Sequence, residues 1–142
     1  ILFLFFMVKS LILTSSIAFI IFLILDFMWL SFAVKFLYKP ALGSLLLEKP
    51  ILPAAFAFYF LYIIGLYFLV LLPNLNDFKI VNAFWMGLIF GLVAYGTYDL
   101  TNLATIKNWS LKVTIIDLIW GGFLTSIVSS LTIWIMSKIS FV

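Results

Sequence analysis

Three of the five acidic residues in this chain, Asp26, Asp99 and Asp117, lie inside long apolar runs. An ionisable residue at the centre of a spanning helix costs about 2.5–3.5 kcal/mol on insertion scales, so each calls for a physical reason. Phenols and indoles recur around them. Asp26 and Asp117 each begin an Asp-x-x-Trp pattern, which puts Trp29 and Trp120 one helical turn from a carboxyl group on the same face. Tyr59 and Tyr62 form a Tyr-x-x-Tyr pair, and Tyr95 and Tyr98 form another. Tyr95, Asp99 and Asn102 stand at i, i+4 and i+7 and share a helical face, with Thr97, Thr101 and Thr105 as a neighbouring hydroxyl row. Carboxyl and phenol groups together can exchange protons with a substrate or ligate a cation. Asp99 has the most hydrogen-bonding neighbours, in Tyr95, Tyr98, Thr101 and Asn102, and is the residue on which chemistry is expected to centre.

The elements that must position these groups follow from composition. Of 142 residues, 67% are hydrophobic and 9% charged. A soluble domain carries roughly 25% charged residues to cover its surface, so lipid must take the place of water here. A spanning helix needs about 20 apolar residues. Four fit, over about residues 11–30, 51–72, 81–103 and 111–136, as one integral membrane domain covering 1–142. The expected fold is an all-α bundle of four transmembrane helices. A short interfacial segment between the first two carries Lys35, Lys39, Glu48 and Lys49 among aromatic and aliphatic residues, and Pro40 and Gly43 are expected to break it. The second span is expected to end at Pro73 and Asn74. Asp26 and Asp99 lie near the C-terminal ends of their spans, and Asp117 lies near the N-terminal end of an antiparallel one. At the helical rise of about 1.5 Å per residue, all three fall roughly 8–12 Å inside one membrane face.

The two ends and the loops add less. Residues 1–6 precede Met7-Val8-Lys9-Ser10 and read as upstream translation, a processing product or an extension of the first helix. A signal peptide is the competing reading, but the run from Leu11 to Val34 is too long for one and contains Asp26. The first and third connections hold Lys35, Lys39, Lys49, Lys107 and Lys112, against Lys9, Lys79 and Lys138 opposite. This excess points the first and third connections to the cytoplasm and both termini outward.

Several classes drop out. With no Cys and no His there are no disulfides, thiol nucleophiles, iron–sulfur clusters, His-ligated haem or His-based di-iron sites. No haem, flavin or nucleotide motif occurs, neither a P-loop nor Gly-x-Gly-x-x-Gly, and no metal site is expected. The lysines flank apolar runs rather than forming a basic stripe, so nucleic acid is not an expected partner. The expected partners are the lipid bilayer and, in a homo-oligomer, further copies of the chain. Gly87-x-x-x-Gly91 with Ala94 reads as a packing face, as do Gly121, Thr125 and Ser129 beside Gly122, Ser126 and Ser130. Asp near a helix end also has a plain structural reading, solvated or neutralised by Lys35 or Lys112. Three like charges on one side of a small bundle argue against that for all of them.

Tyr95-Gly96-Thr97-Tyr98-Asp99-Leu100-Thr101-Asn102-Leu103-Ala104-Thr105 is the most specific stretch of a wider pattern. Asp26 with Trp29-Leu30, Tyr38 to Leu42-Gly43, Phe58-Tyr59 with Tyr62 and Gly65, Trp109, and Asp117 with Trp120-Gly121 complete it. This pattern resembles the bacterial membrane family catalogued as domain of unknown function 2177, over nearly the whole chain from Met7. The Lys-only first connection departs from the Arg expected there and reflects a biased genome. The resemblance implies a small, multi-pass bacterial inner-membrane protein and supplies no reaction.

Three functions remain on this reading. One is a one-sided intramembrane Asp/Tyr pocket that binds or converts an amphipathic or lipidic small molecule. Another is an ion- or proton-coupled transporter working as an oligomer, and the third is an accessory or assembly subunit. A polar layer confined to one half, with apolar packing through Phe68, Leu69 and Trp134 in the other, favours the pocket. A polar path across both leaflets favours transport.

Overall fold

The computed structural model describes residues 1–139. The last three residues of the expected domain, including Val142, lie outside the described residues. Among the described residues, four helices are long and apolar enough to cross a membrane: α1 (Leu2–Leu45), α2 (Leu52–Leu75), α3 (Ile80–Thr105) and α4 (Leu111–Ile139). The chain is an integral membrane four-helix bundle. Its outer surface is apolar, with Ile20, Phe60, Ile89 and Ile119 exposed where a soluble protein would be charged. Pro53 stands in the first turn of α2, where its missing N–H costs nothing. Ser110 caps α4, accepting a hydrogen bond from Val113 N at 3.2 Å.

Two expectations need correction. Neither Pro40 nor Pro73 breaks its helix. Each follows a five-residue π turn, Val34–Tyr38 before Pro40 and Tyr67–Leu71 before Pro73, and helix resumes over Lys39–Leu42 and Leu72–Leu75. A proline ring normally clashes with the carbonyl four residues back and leaves it without a donor. The wider turn moves bonding to i+5, so Lys39 N reaches Val34 O and Leu72 N reaches Tyr67 O. At Pro73 the Asn74 side chain adds a further bond to Val70 O at 2.6 Å. Gly43, at φ 49°, is where the first helix does lose its α geometry. The 44-residue α1 would be roughly 66 Å long as ideal helix, about twice the hydrocarbon thickness, so its ends must leave the core. The interfacial segment therefore begins as the helical tail of α1.

The second correction concerns Phe68, Leu69 and Trp134, which are exposed to lipid rather than packed inside. The interior of that half is filled by Leu66, Val70, Leu71, Leu124, Val128 and Ile133, with Phe22 and Ala18 from α1. α3 and α4 form the closest pair. A Cβ on Gly91 would strike the Gly121 carbonyl and come 2.6 Å from Thr125 Oγ1, and one on Gly87 would lie 2.7 Å from Thr125 O. Backbones approach this closely only where side chains are absent. Ser129 Oγ and Ser130 Oγ donate to carbonyls one turn back, Thr125 O at 2.7 Å and Ser126 O at 2.8 Å, so these hydroxyls are satisfied within α4.

Candidate functional site

The ends of all four helices on one side of the bundle surround a cavity of about 390 Å³. Six of the residues singled out by sequence line it: Asp26 and Trp29 from α1, Tyr95 and Tyr98 from α3, Asp117 and Trp120 from α4. Leu30, Tyr38, Phe58 and Ala94 complete the wall. The two Asp-x-x-Trp patterns meet, with the Trp29 and Trp120 rings stacked 4.6 Å apart at 12°. Gly121 makes room for the Tyr95 ring, because a Cβ there would run into it. Phe58 and Tyr98 are half exposed and mark an opening between α2 and α3. These helices meet chiefly through the π turn Tyr67–Leu71, toward the other end.

Hydrogen bonds tie the carboxyl groups to different helices. The Tyr38 hydroxyl donates to Asp117 Oδ1 at 2.5 Å and accepts from Trp29 Nε1 at 3.1 Å, linking the tail of α1 to α4. The Tyr59 hydroxyl donates to Asp26 Oδ2 at 3.0 Å. Tyr59 also lines a second, apolar groove between α1 and α2, with Phe19, Phe56, Phe60 and Ile63. Tyr62 pairs with Thr125 below the cavity floor, and Thr125 donates in turn to Gly121 O at 2.7 Å. Asp26, Asp99 and Asp117 are all buried.

Asp99 departs from expectation. It lies behind the lining, fully buried, and neither carboxyl oxygen has a hydrogen-bond partner. None of its expected helpers, Tyr95, Tyr98, Thr101 and Asn102, bonds to it. Thr97 and Thr105 donate to carbonyls one turn back at 2.6 and 2.7 Å, and Thr101 does the same toward Thr97. Asn102 stands beside Tyr98 instead. A threonine hydroxyl on a helix finds the i−4 carbonyl before anything across the bundle. The group that Asp99 does face is the Asp117 carboxyl. Two carboxyl groups in contact can bond only through a shared proton, an arrangement that belongs to the pair rather than to either member.

Of the four lining residues that the sequence reading does not name as site candidates, Tyr38 is the polar one. The expected break at Pro40 assigns it to the headgroup layer, whereas the π turn carries it back over the bundle. The signal for it lies in the extended Tyr38 to Gly43 match to the family pattern.

No curated protein and no solved structure matches the chain. A family model described as a predicted membrane protein, DUF2177, matches residues 11–134, which takes in every lining residue of the cavity. The chain belongs to the DUF2177 family of predicted membrane proteins.

Proposed function

We propose that this protein holds an amphipathic or lipidic small molecule in a one-sided pocket within the bacterial inner membrane, binding it or acting on it there. The observation that carries this reading is the cavity itself. Its volume lies in the range of small-molecule sites, about 300–1,000 Å³, and its wall is aromatic with a few convergent polar groups. The opening beside Phe58 and Tyr98 suits entry from the bilayer. The apolar filling from Phe22 through Leu124 to Ile133 supports a pocket over a polar path through both leaflets.

Native mass spectrometry of the protein released from mild detergent tests this directly. One molecule of a defined lipid or other amphipath is expected to stay with each chain, and Trp120→Ala, which removes one wall, is expected to lose it. Chains free of any retained molecule, with the variant indistinguishable from the parent, would leave the cavity without an occupant.

Orientation has its own test. Reporters fused after residues 45 and 108 are expected to read as cytoplasmic, and one fused after Val142 as external, because lysines accumulate in the first and third connections. The opposite pattern would place the pocket in the outer half and leave the four spans standing.

A further inference from the structure

From the charges around the cavity we infer that its ligand is a cationic amphipath, a long-chain amine whose ammonium head sits between Asp26 and Asp117. The inference rests on the pocket reading above and specifies its ligand. Two buried carboxyl groups line the cavity, a third is buried behind its wall beside Asp117, and no lysine lines it. The one ion pair among the described residues joins Lys79 to Asp77, in the loop between α2 and α3. Buried carboxylates without a counter-charge are strongly disfavoured. The chain supplies hydrogen bonds from Tyr38 and Tyr59 but no positive charge. Asp99, whose oxygens have no donor, faces Asp117 and adds a further carboxyl group without a counter-charge. Asp26 has the Tyr59 hydroxyl as its one bonded partner among the described residues.

The walls decide which cation. The stacked pair Trp29 and Trp120 and the Tyr38 ring present aromatic surface to the cavity, and aromatic faces attract organic ammonium groups. A metal ion would want three or more His, Cys, Asp or Glu ligands converging, and no such group occurs among the described residues. An anionic head would meet two carboxyl groups and no lysine.

Full-length protein in phosphatidylcholine nanodiscs, titrated with radiolabelled dodecylamine, 1-dodecanol and dodecyl phosphate against empty nanodiscs, tests this. Saturable binding of one dodecylamine per chain is expected, at least about tenfold tighter than dodecanol, because hydrogen bonds to a charged group are stronger than neutral ones. Asp26→Asn is expected to remove most of that preference, and Asp26→Glu to keep it. Equal binding of dodecylamine and dodecanol, or preference for dodecyl phosphate, overturns the amine while the pocket stands. No saturable binding of any probe to folded protein overturns both. The three-probe comparison uses the unaltered chain, so its outcome does not depend on a variant folding.

Discussion

Gly91→Leu is expected to abolish accumulation of folded protein. A single Cβ at this position already meets the Gly121 carbonyl and stands 2.6 Å from Thr125 Oγ1, and the carbonyl, being backbone, cannot swing aside as a side-chain tip would. Three further carbons would force α3 and α4 apart. This is the closest helix pair in the bundle and carries Tyr95, Asp99, Asp117 and Trp120. Overpacking typically costs about 1–3 kcal/mol and more where backbone must move, so a loss of at least about 3 kcal/mol is expected. Gly96 provides the control. Its nearest neighbour would be Leu100 Cδ1 at 3.7 Å, an ordinary contact, and Gly96→Ala is expected to accumulate at least as well as the parent. Detergent-extracted monodisperse protein, quantified by fluorescence-detected size exclusion, separates the two. Wild-type levels of Gly91→Leu would mean that the α3–α4 approach is looser than described.

The second large effect is expected at Asp99. Asp99→Asn keeps the shape and removes a charge. Facing Asp117, the amide can donate the hydrogen bond that a shared proton would otherwise provide, so insertion and folding should match the parent. Ligand retention should fall severalfold, through the altered setting of Asp117 rather than through a lost bond to the ligand, since Asp99 lies behind the lining. The amide cannot take up or release a proton beside Asp117, and it sets the orientation of Asp117 toward Tyr38 as a different partner. Asp77→Asn, in the exposed loop, should change nothing. Retention measured by native mass spectrometry, with complementation of a deletion strain alongside, reads the result. Parental behaviour of Asp99→Asn in both assays, together with loss of Gly91→Leu, would favour a packing or accessory subunit over a pocket.

The bundle is legible because composition alone decides it. Runs such as Ile51 to Leu72 have no other stable state than a helix in lipid. That Asp26 and Asp117 line one cavity follows a pattern the sequence carries too, since it needs only the helical rise and the alternation of direction. Orientation around each helix is not. Phe68, Leu69 and Trp134, expected inside, face lipid, because a helix that is apolar all round carries no stripe to say which side is buried. The small residues Gly87, Gly91 and Gly121 are the exception, since close approach leaves a mark in the sequence. Tyr38 is hidden by a local rule. Proline ends helices in general, and nothing in Val34–Tyr38 announces the wide turn that lets this one continue.

The cavity is closed by the first and last helices, and this sets a timetable. The bond from Tyr38 to Asp117 joins residues 79 apart. At a synthesis rate of about 5–20 residues per second, the ribosome needs roughly 4–16 s to deliver the second partner after the first. For that interval Asp26 and Tyr38 wait in the membrane with α4 still unmade. Trp29 then has no indole to stack on, and only Tyr59, arriving with α2, can reach the Asp26 carboxyl. A nascent chain arrested before Leu111 thus carries the Asp26 and Trp29 side of the cavity without the wall that Asp117 and Trp120 later supply.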